Sequence, residues 1–249
     1  EAPATSAAPS GDLDAENGLG AAAWNADLDK ADKAPQKADD TNPLLIYMTN
    51  LEGAAGGSFP EIREGAQAAV KFINEKLGGV GATADKPGRA IKFEPCVHGL
   101  TVDEAQQCAN KAKAAKPALI INGIDFFSPA MYPIWTGIPV MQTVPIFVAD
   151  FNTPGVFSAF GGCVSSFPGG AKFLKDIYGA DKAVVIYSDN APGQQCYADT
   201  EDRFYTKVGL PHLGVKDAPG DPSDNDANAQ AAIDYLKDAK KGAVYFGIQ

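Results

Sequence analysis

The chain has 249 residues, 45% hydrophobic and 21% charged, with a formal net charge of −10. That is an ordinary globular balance, enough to bury one large domain or two lobes. Residues 1–42 hold nine carboxylates against three lysines, so the body is only mildly acidic; it lacks the basic stripe of a nucleic-acid binder, and no stretch approaches the ~20 apolar residues of a membrane span.

Residues 1–42 are rich in Ala, Asp and Pro, and Leu13, Leu19, Trp24 and Leu28 are their only large apolar residues. This composition predicts a low-order tether, with a helical turn or two over 21–33. From residue 43 short apolar runs alternate with helical periodicity, the pattern of β-α-β units around a parallel sheet. Strands are expected near 44–49, 90–96, 118–122, 139–142, 156–160, 183–188, 212–217 and 243–247.

A helix over 59–77 places Phe59, Ile62, Ala66, Val70, Ile73 and Leu77 on one stripe, a face that must dock on a sheet. A second, over 102–115, carries Ala105, Ala109 and Ala112, small residues that suit close approach, and opens on Thr101 and Glu104 as a capping box. After "FGGCVSSFPGG" a further series follows, with helices at 167–178, 196–208 and 226–240. Two α/β lobes are therefore expected, 43–160 and a partial second lobe over 161–249.

The stretch "NLEGAAGGSFPEIREGAQ" follows the first strand. It lacks the lysine of a P-loop and the spacing of G-x-G-x-x-G. What remains is a glycine turn at a strand's carboxyl end, with free helix N–H groups facing an acceptor, which suits a ligand carboxylate or amide as well as a phosphate. A turn with no ligand is the bland alternative.

Cys96, Cys108, Cys163 and Cys196 are the only cysteines, none at metal-ligand spacing. The even count allows three pairings. Cys96 with Cys108 and Cys163 with Cys196 are favoured, each tying a strand end to a helix soon after it, which places the protein outside the cytoplasm; four free thiols are the alternative. His98 and His212 are the only histidines and read as structural. No carboxylate pair has the setting of a glycosidase dyad. "DPSDNDAN" at 221–228 has a calcium-loop composition but lacks glycine at the sixth position and glutamate at the twelfth, so it reads as a loop before a helix. No catalytic residue, cofactor or metal is expected, and the chain is not read as an enzyme.

"DFFSPAMYPIW" follows the strand "ALIING" and puts Phe126 and Phe127 at a strand's carboxyl end, where open α/β sheets bind ligands; Tyr132 and Trp135 read as core. "YSDNAPGQQ" is the loop after a strand of the second series, with Asp189 and Asn190 facing a cleft or only solvent.

The order and spacing of "LLIYMTNLEGAAGGSFPEIREGAQAAVKFINEKLGG", "CVHGLTVDEAQQCANKA", "KPALIINGIDFFSPAM", "GIPVMQT", "AVVIYSDNAPGQQCYADT" and "AVYFG" resemble the type 1 periplasmic binding proteins, specifically the branched-chain amino-acid (Leu/Ile/Val) group of ABC-transporter solute receptors. The resemblance implies two Rossmann-like lobes with parallel sheets, a ligand closed between them, delivery to a membrane permease, and an extracytoplasmic location with membrane contact only through a lipid anchor. Position by position it implies ligand contacts at Gly57, Ser58 and Phe59, at Asp125 and Phe126, at Val144 and Pro145, and at Asp189, Asn190 and Pro192. Where the amino-acid binders have small hydroxyl or alanine residues, this sequence has Asp125, Phe126, Val144 and Pro145, which favours a bulkier, more apolar or amide-like solute. The family continues further, so a C-terminal truncation is expected. The competing readings are a ligand-sensing receptor or regulator of the same fold and a nucleotide-dependent oxidoreductase.

Overall fold

The computed structural model describes residues 37–53, 57–217 and 222–246; the tether up to residue 36, its helical turns included, lies outside the described residues. Strands β1 (Asp39–Leu51), β2 (Arg89–His98), β3 (Leu119–Asn122), β4 (Val140–Gln142) and β5 (Val156–Ser158) form one sheet in the order β2-β1-β3-β4-β5. Strands β6 (Lys182–Ser188), β7 (His212–Asp217) and β8 (Gly242–Phe246) form a second, in the order β7-β6-β8. The β1-β3-β4-β5 and β7-β6-β8 pairings are parallel, so helices must connect them. They are α1 (Pro60–Glu75), α2 (Val102–Ala115), α3 (Ser128–Met131), α4 (Ala149–Asn152), α5 (Gly162–Lys172), α6 (Ala191–Cys196), α7 (Asp202–Val208) and α8 (Pro222–Leu236).

The structure corrects three helix starts. Helix α5 begins at Gly162, five residues before the expected start, takes Pro168 into its interior, and runs on as a π-helical turn over Phe173–Tyr178. Helix α6 begins at Ala191 with Asn190 as its cap, and a second π-helical turn, Tyr197–Glu201, joins it to α7. Helix α8 begins at Pro222, so most of the acidic run taken for a loop is its first turns.

By contact density the chain falls into two compact units. One holds the described residues up to Leu44 with Gly65–Phe93; the other holds Leu45–Glu64 with Glu94 onward. In the first, the Asn74 amide donates to the Ile91 carbonyl and accepts from the Ile91 N–H at 2.9 and 2.8 Å. Gly79, at φ +92, sits where a Cβ would lie 2.6 Å from the Arg89 carbonyl oxygen, so only glycine closes that turn.

The second unit holds the main cores. Tyr47, Ile120, Met131, Trp135 and Val140 pack with Ala105, Ala109 and Ala112, the three alanines fully buried. Their small side chains let Trp135 lie close enough to α2 for its indole N–H to reach the Ala109 carbonyl at 3.2 Å, which gives the buried ring its polar partner. A second cluster, around Val185, Tyr205 and Leu210, underlies the three-stranded sheet. The disulfides are Cys96–Cys108 and Cys163–Cys196. The first ties β2 to α2; the second joins the start of α5 to the end of α6, helix to helix rather than strand to helix.

Candidate ligand-binding site

The carboxyl ends of β1, β3 and β4 are fixed by a row of buried polar side chains. Thr49, Asn122 and Gln142 are in register across the three strands and fully buried. Thr49 Oγ1 donates to Asn122 Oδ1 at 2.7 Å, Asn122 Nδ2 to Gln142 Oε1 at 2.6 Å, and Gln142 Nε2 to the Val144 carbonyl at 3.0 Å. Each group satisfies the next, as burial demands. The consequence is positional: the row sets where the chain leaves β4, and so where Val144 and Pro145 sit.

Asp150 holds the same segment from its far end. Its Oδ1 accepts from Ser128 Oγ at 2.6 Å and Tyr132 OH at 2.5 Å; its Oδ2 accepts from the Ile146 and Phe147 N–H groups at 2.7 and 2.8 Å. Burial, then the charge of Asp150, pushes the Tyr132 hydroxyl up and keeps it protonated as a donor. Pro145 is buried, and Gly162, at φ +48, is required because a Cβ there would lie 1.9 Å from the Pro145 oxygen. Ile146 and Phe147 cluster with Cys163 and Cys196, and Phe126 and Val144 pack on that cluster.

At the end of β1, Asn50 is fully buried and its Nδ2 donates to Glu52 Oε1 and the Phe59 carbonyl at 3.0 and 2.7 Å. Arg63, in the first turn of α1, binds Glu52 through two nitrogens at 2.8 and 3.1 Å. Burial would raise the Glu52 carboxyl; the bonds from Arg63 and Asn50 outweigh it and hold it below its usual range. Ser58 is exposed, its Oγ accepting from the Gly53 N–H at 2.9 Å. Phe59 meets Phe126 edge to face at 6.2 Å, and a Cβ on Gly57 would touch Leu51, Phe126 and Phe59 at 3.3–3.4 Å. Gly57, Phe59, Phe126 and Val144 thus gather at one edge of the sheet.

Asp125 is fully buried and committed to the fold: Oδ2 lies 2.7 Å from His98 Nε2 and Oδ1 accepts from the Phe127 N–H at 2.6 Å. His98 Nδ1 lies 2.9 Å from the Gly99 carbonyl, so both ring nitrogens face acceptors, the arrangement of an imidazolium. Burial lowers the His98 value, but the bond and charge of Asp125 outweigh it and raise it.

Asp189, Asn190 and Pro192 follow β6 in the second sheet. Asp189 Oδ1 accepts from Lys216 Nζ at 3.1 Å and Gln194 Nε2 at 2.5 Å; the Lys216 bond first, then that from Gln194, holds its carboxyl below the usual range. Asn190 Oδ1 caps α6 by accepting from the Gly193 N–H at 2.8 Å, and Pro192 is buried. Sequence reasoning missed Asn50, the Thr49–Asn122–Gln142 row and Asp150. The available signal was one or two polar residues closing each apolar run: "LLIYMTN", "LIIN" and "VMQ". Among the described residues Asn50 Oδ1 and Thr143 Oγ1, at the ends of β1 and β4, are buried without a hydrogen-bond partner, and no carboxylate, histidine or cysteine cluster suits a metal.

A model of the family described as periplasmic binding protein matches residues 45–247, and the chain belongs to that family. The fold is that of the type 1 periplasmic binding proteins, as solved structures show. A leucine-binding protein, LivK, from Thermotoga maritima is 20% identical over 82% of this chain and 55% of its own, with a TM-score of 0.60. An ABC-transporter substrate-binding protein from Desulfitobacterium hafniense in complex with Leu is 16% identical over 82% and 58%, at 0.61. A solute-binding protein of an R. palustris ABC transporter in complex with benzoate is 19% identical over 83% and 55%, at 0.60. At these identities the likeness is one of fold, and the chain spans little more than half the length of those proteins. No curated protein matches the chain. The family is extracytoplasmic, and among the described residues no helix is long and apolar enough to cross a membrane.

Proposed function

We propose that the protein is a non-enzymatic, extracytoplasmic receptor that captures a small organic solute, an amino acid, amide or related acid, for an ABC-transporter permease. In this reading the two sheets belong to two lobes, 43–160 and 161–249, that close on the solute. Gly57, Ser58, Phe59, Asp125, Phe126, Val144 and Pro145 form one side and Asp189, Asn190 and Pro192 the other, while a lipid anchor supplies the membrane contact. The observation that carries the reading is the edge where β1, β3 and β4 end. A buried hydrogen-bonded row fixes it, an aromatic pair walls it, and Thr143 Oγ1 beside it has no partner among the described residues. Such an edge of an open α/β sheet is where solutes bind. Asp125 serves by holding the loop that presents Phe126, since both its oxygens are engaged. The Leu and benzoate bound by two proteins of this fold bracket the solute chemistry.

The test is a thermal-shift screen against amino acids, amides, short acids and aromatic acids. A solute at 100 times its dissociation constant stabilises by about 2.7 kcal/mol, and one class is expected to do so. Silence in every class, or micromolar binding of a dinucleotide alone, overturns the proposal; the latter outcome favours an oxidoreductase.

A further inference from the structure

The π-helical turn Tyr197–Glu201 buries a carboxyl that no described residue holds. Glu201 is fully buried, and among the described residues neither of its side-chain oxygens has a hydrogen-bond partner; the same is true of the Tyr205 hydroxyl four residues on. The ionisable side chains that face it are phenols: Tyr187 on β6, Tyr197 in its own turn, Tyr205 on α7 and Tyr245 on β8. Nearby charges are engaged elsewhere, Asp202 with His212 at 3.0 Å and Asp199 with Gln195 at 3.0 Å and Arg203 at 3.8 Å. The described residues of α5 and α6 send no charged group to Glu201, and burial alone pushes its carboxyl up, to about 7. An ionised carboxylate here finds neither a counter-charge nor a donor among the described residues, whereas the neutral acid loses far less on leaving water.

We propose that Glu201 is a proton-binding site built into the second sheet's helical layer: the folded chain holds it as the neutral acid, and its ionisation loosens the continuous segment 191–208 against β6 and β7. The sign follows from the raised folded value. The stability that depends on the neutral form is fully present below the unfolded carboxyl's range and is lost as pH rises through about 7. Because that segment begins at the Asn190 cap, proton loss reaches the loop that follows β6.

The test compares thermal midpoints of the wild-type chain and Glu201→Gln from about pH 5 to about pH 8. Glutamine copies the neutral acid in shape but cannot ionise. The wild-type midpoint is expected to fall relative to the variant's by several degrees across neutrality; parallel profiles overturn the proposal. The His98–Asp125 pair weakens in the same direction in both proteins and cancels from the difference. A second measurement needs no variant. The infrared carbonyl band of a protonated carboxylic acid is expected in the folded wild type at about pH 6, where ordinary carboxyls are ionised, and is expected to vanish at about pH 9. A spectrum without it overturns the assignment.

Discussion

Two buried carboxylic acids, one beside each sheet, are treated in opposite ways. Asp150, beside the first sheet, is 1% exposed and receives four hydrogen bonds; Glu201, under the second, is fully buried and receives none from the described residues. Burial alone therefore says little about what an acid does. The donors decide: four of them make Asp150 a clamp on the segment that carries Val144 and Pro145, and their absence makes Glu201 a proton holder.

Breaking the clamp gives the largest expected effect. Asp150→Ala strands the Ser128 hydroxyl and two backbone N–H groups and leaves the Tyr132 hydroxyl only Gln142 Oε1, at 3.1 Å; loss of such a buried network costs about 3–5 kcal/mol. Chemical denaturation measures it, and a cost below about 1 kcal/mol, the size of a single ordinary hydrogen bond, would show the clamp to be redundant. The Glu201→Gln comparison supplies the opposite behaviour: little change in mild acid and a gain in stability above neutrality.

Gly123→Ala probes the first sheet's edge by shape instead of charge. A Cβ there would lie 2.2 Å from Asn50 Oδ1 and 3.0 Å from the Thr49 carbonyl. Neither can withdraw freely, because the Asn50 amide is held by Glu52 and Phe59 and the Thr49 carbonyl accepts from the Gly123 N–H. A destabilisation of about 2–3 kcal/mol is expected from this overpacking. A variant as stable as wild type would mean that the edge yields, and that its geometry is not what presents Phe126 and Val144.

The strands and the family resemblance were legible because apolar runs and their spacing report backbone architecture directly. Both disulfide pairings were legible from the order of the elements, although the second joins two helices. The helix starts at 162 and 191 were harder. Pro168 reads as a first-turn residue, yet it lies inside α5, and the cap signal of Asn190 and Pro192 was absorbed into a loop. At the candidate site, Gly57, Phe59 and Phe126 could be placed at strand ends from the sequence, and the structure brings them together. The site was not legible at Thr49, Asn122, Gln142 and Asp150, since single polar residues at strand ends acquire meaning only when register brings them together. For the same reason Asp125 reads from sequence as a ligand contact, while His98, distant in sequence, occupies its carboxylate.

The finest discrimination between the two regions uses one substitution twice. Tyr132 and Tyr205 are both buried, and burial pushes both hydroxyls up. The Tyr132 hydroxyl donates to Asp150, whereas that of Tyr205 has no partner among the described residues. Tyr132→Phe removes a charge-assisted bond and leaves Asp150 Oδ1 with Ser128 alone, a loss of about 1–2 kcal/mol. Tyr205→Phe removes a buried oxygen that no described residue bonds, so it is expected to be neutral or to stabilise by up to about 1 kcal/mol. Equal losses at the two positions would mean that the Tyr205 hydroxyl does find a partner in solution. One candidate is the neutral Glu201 acid, so repeating the pair in the Glu201→Gln background would then separate a Tyr205–Glu201 bond from one made elsewhere.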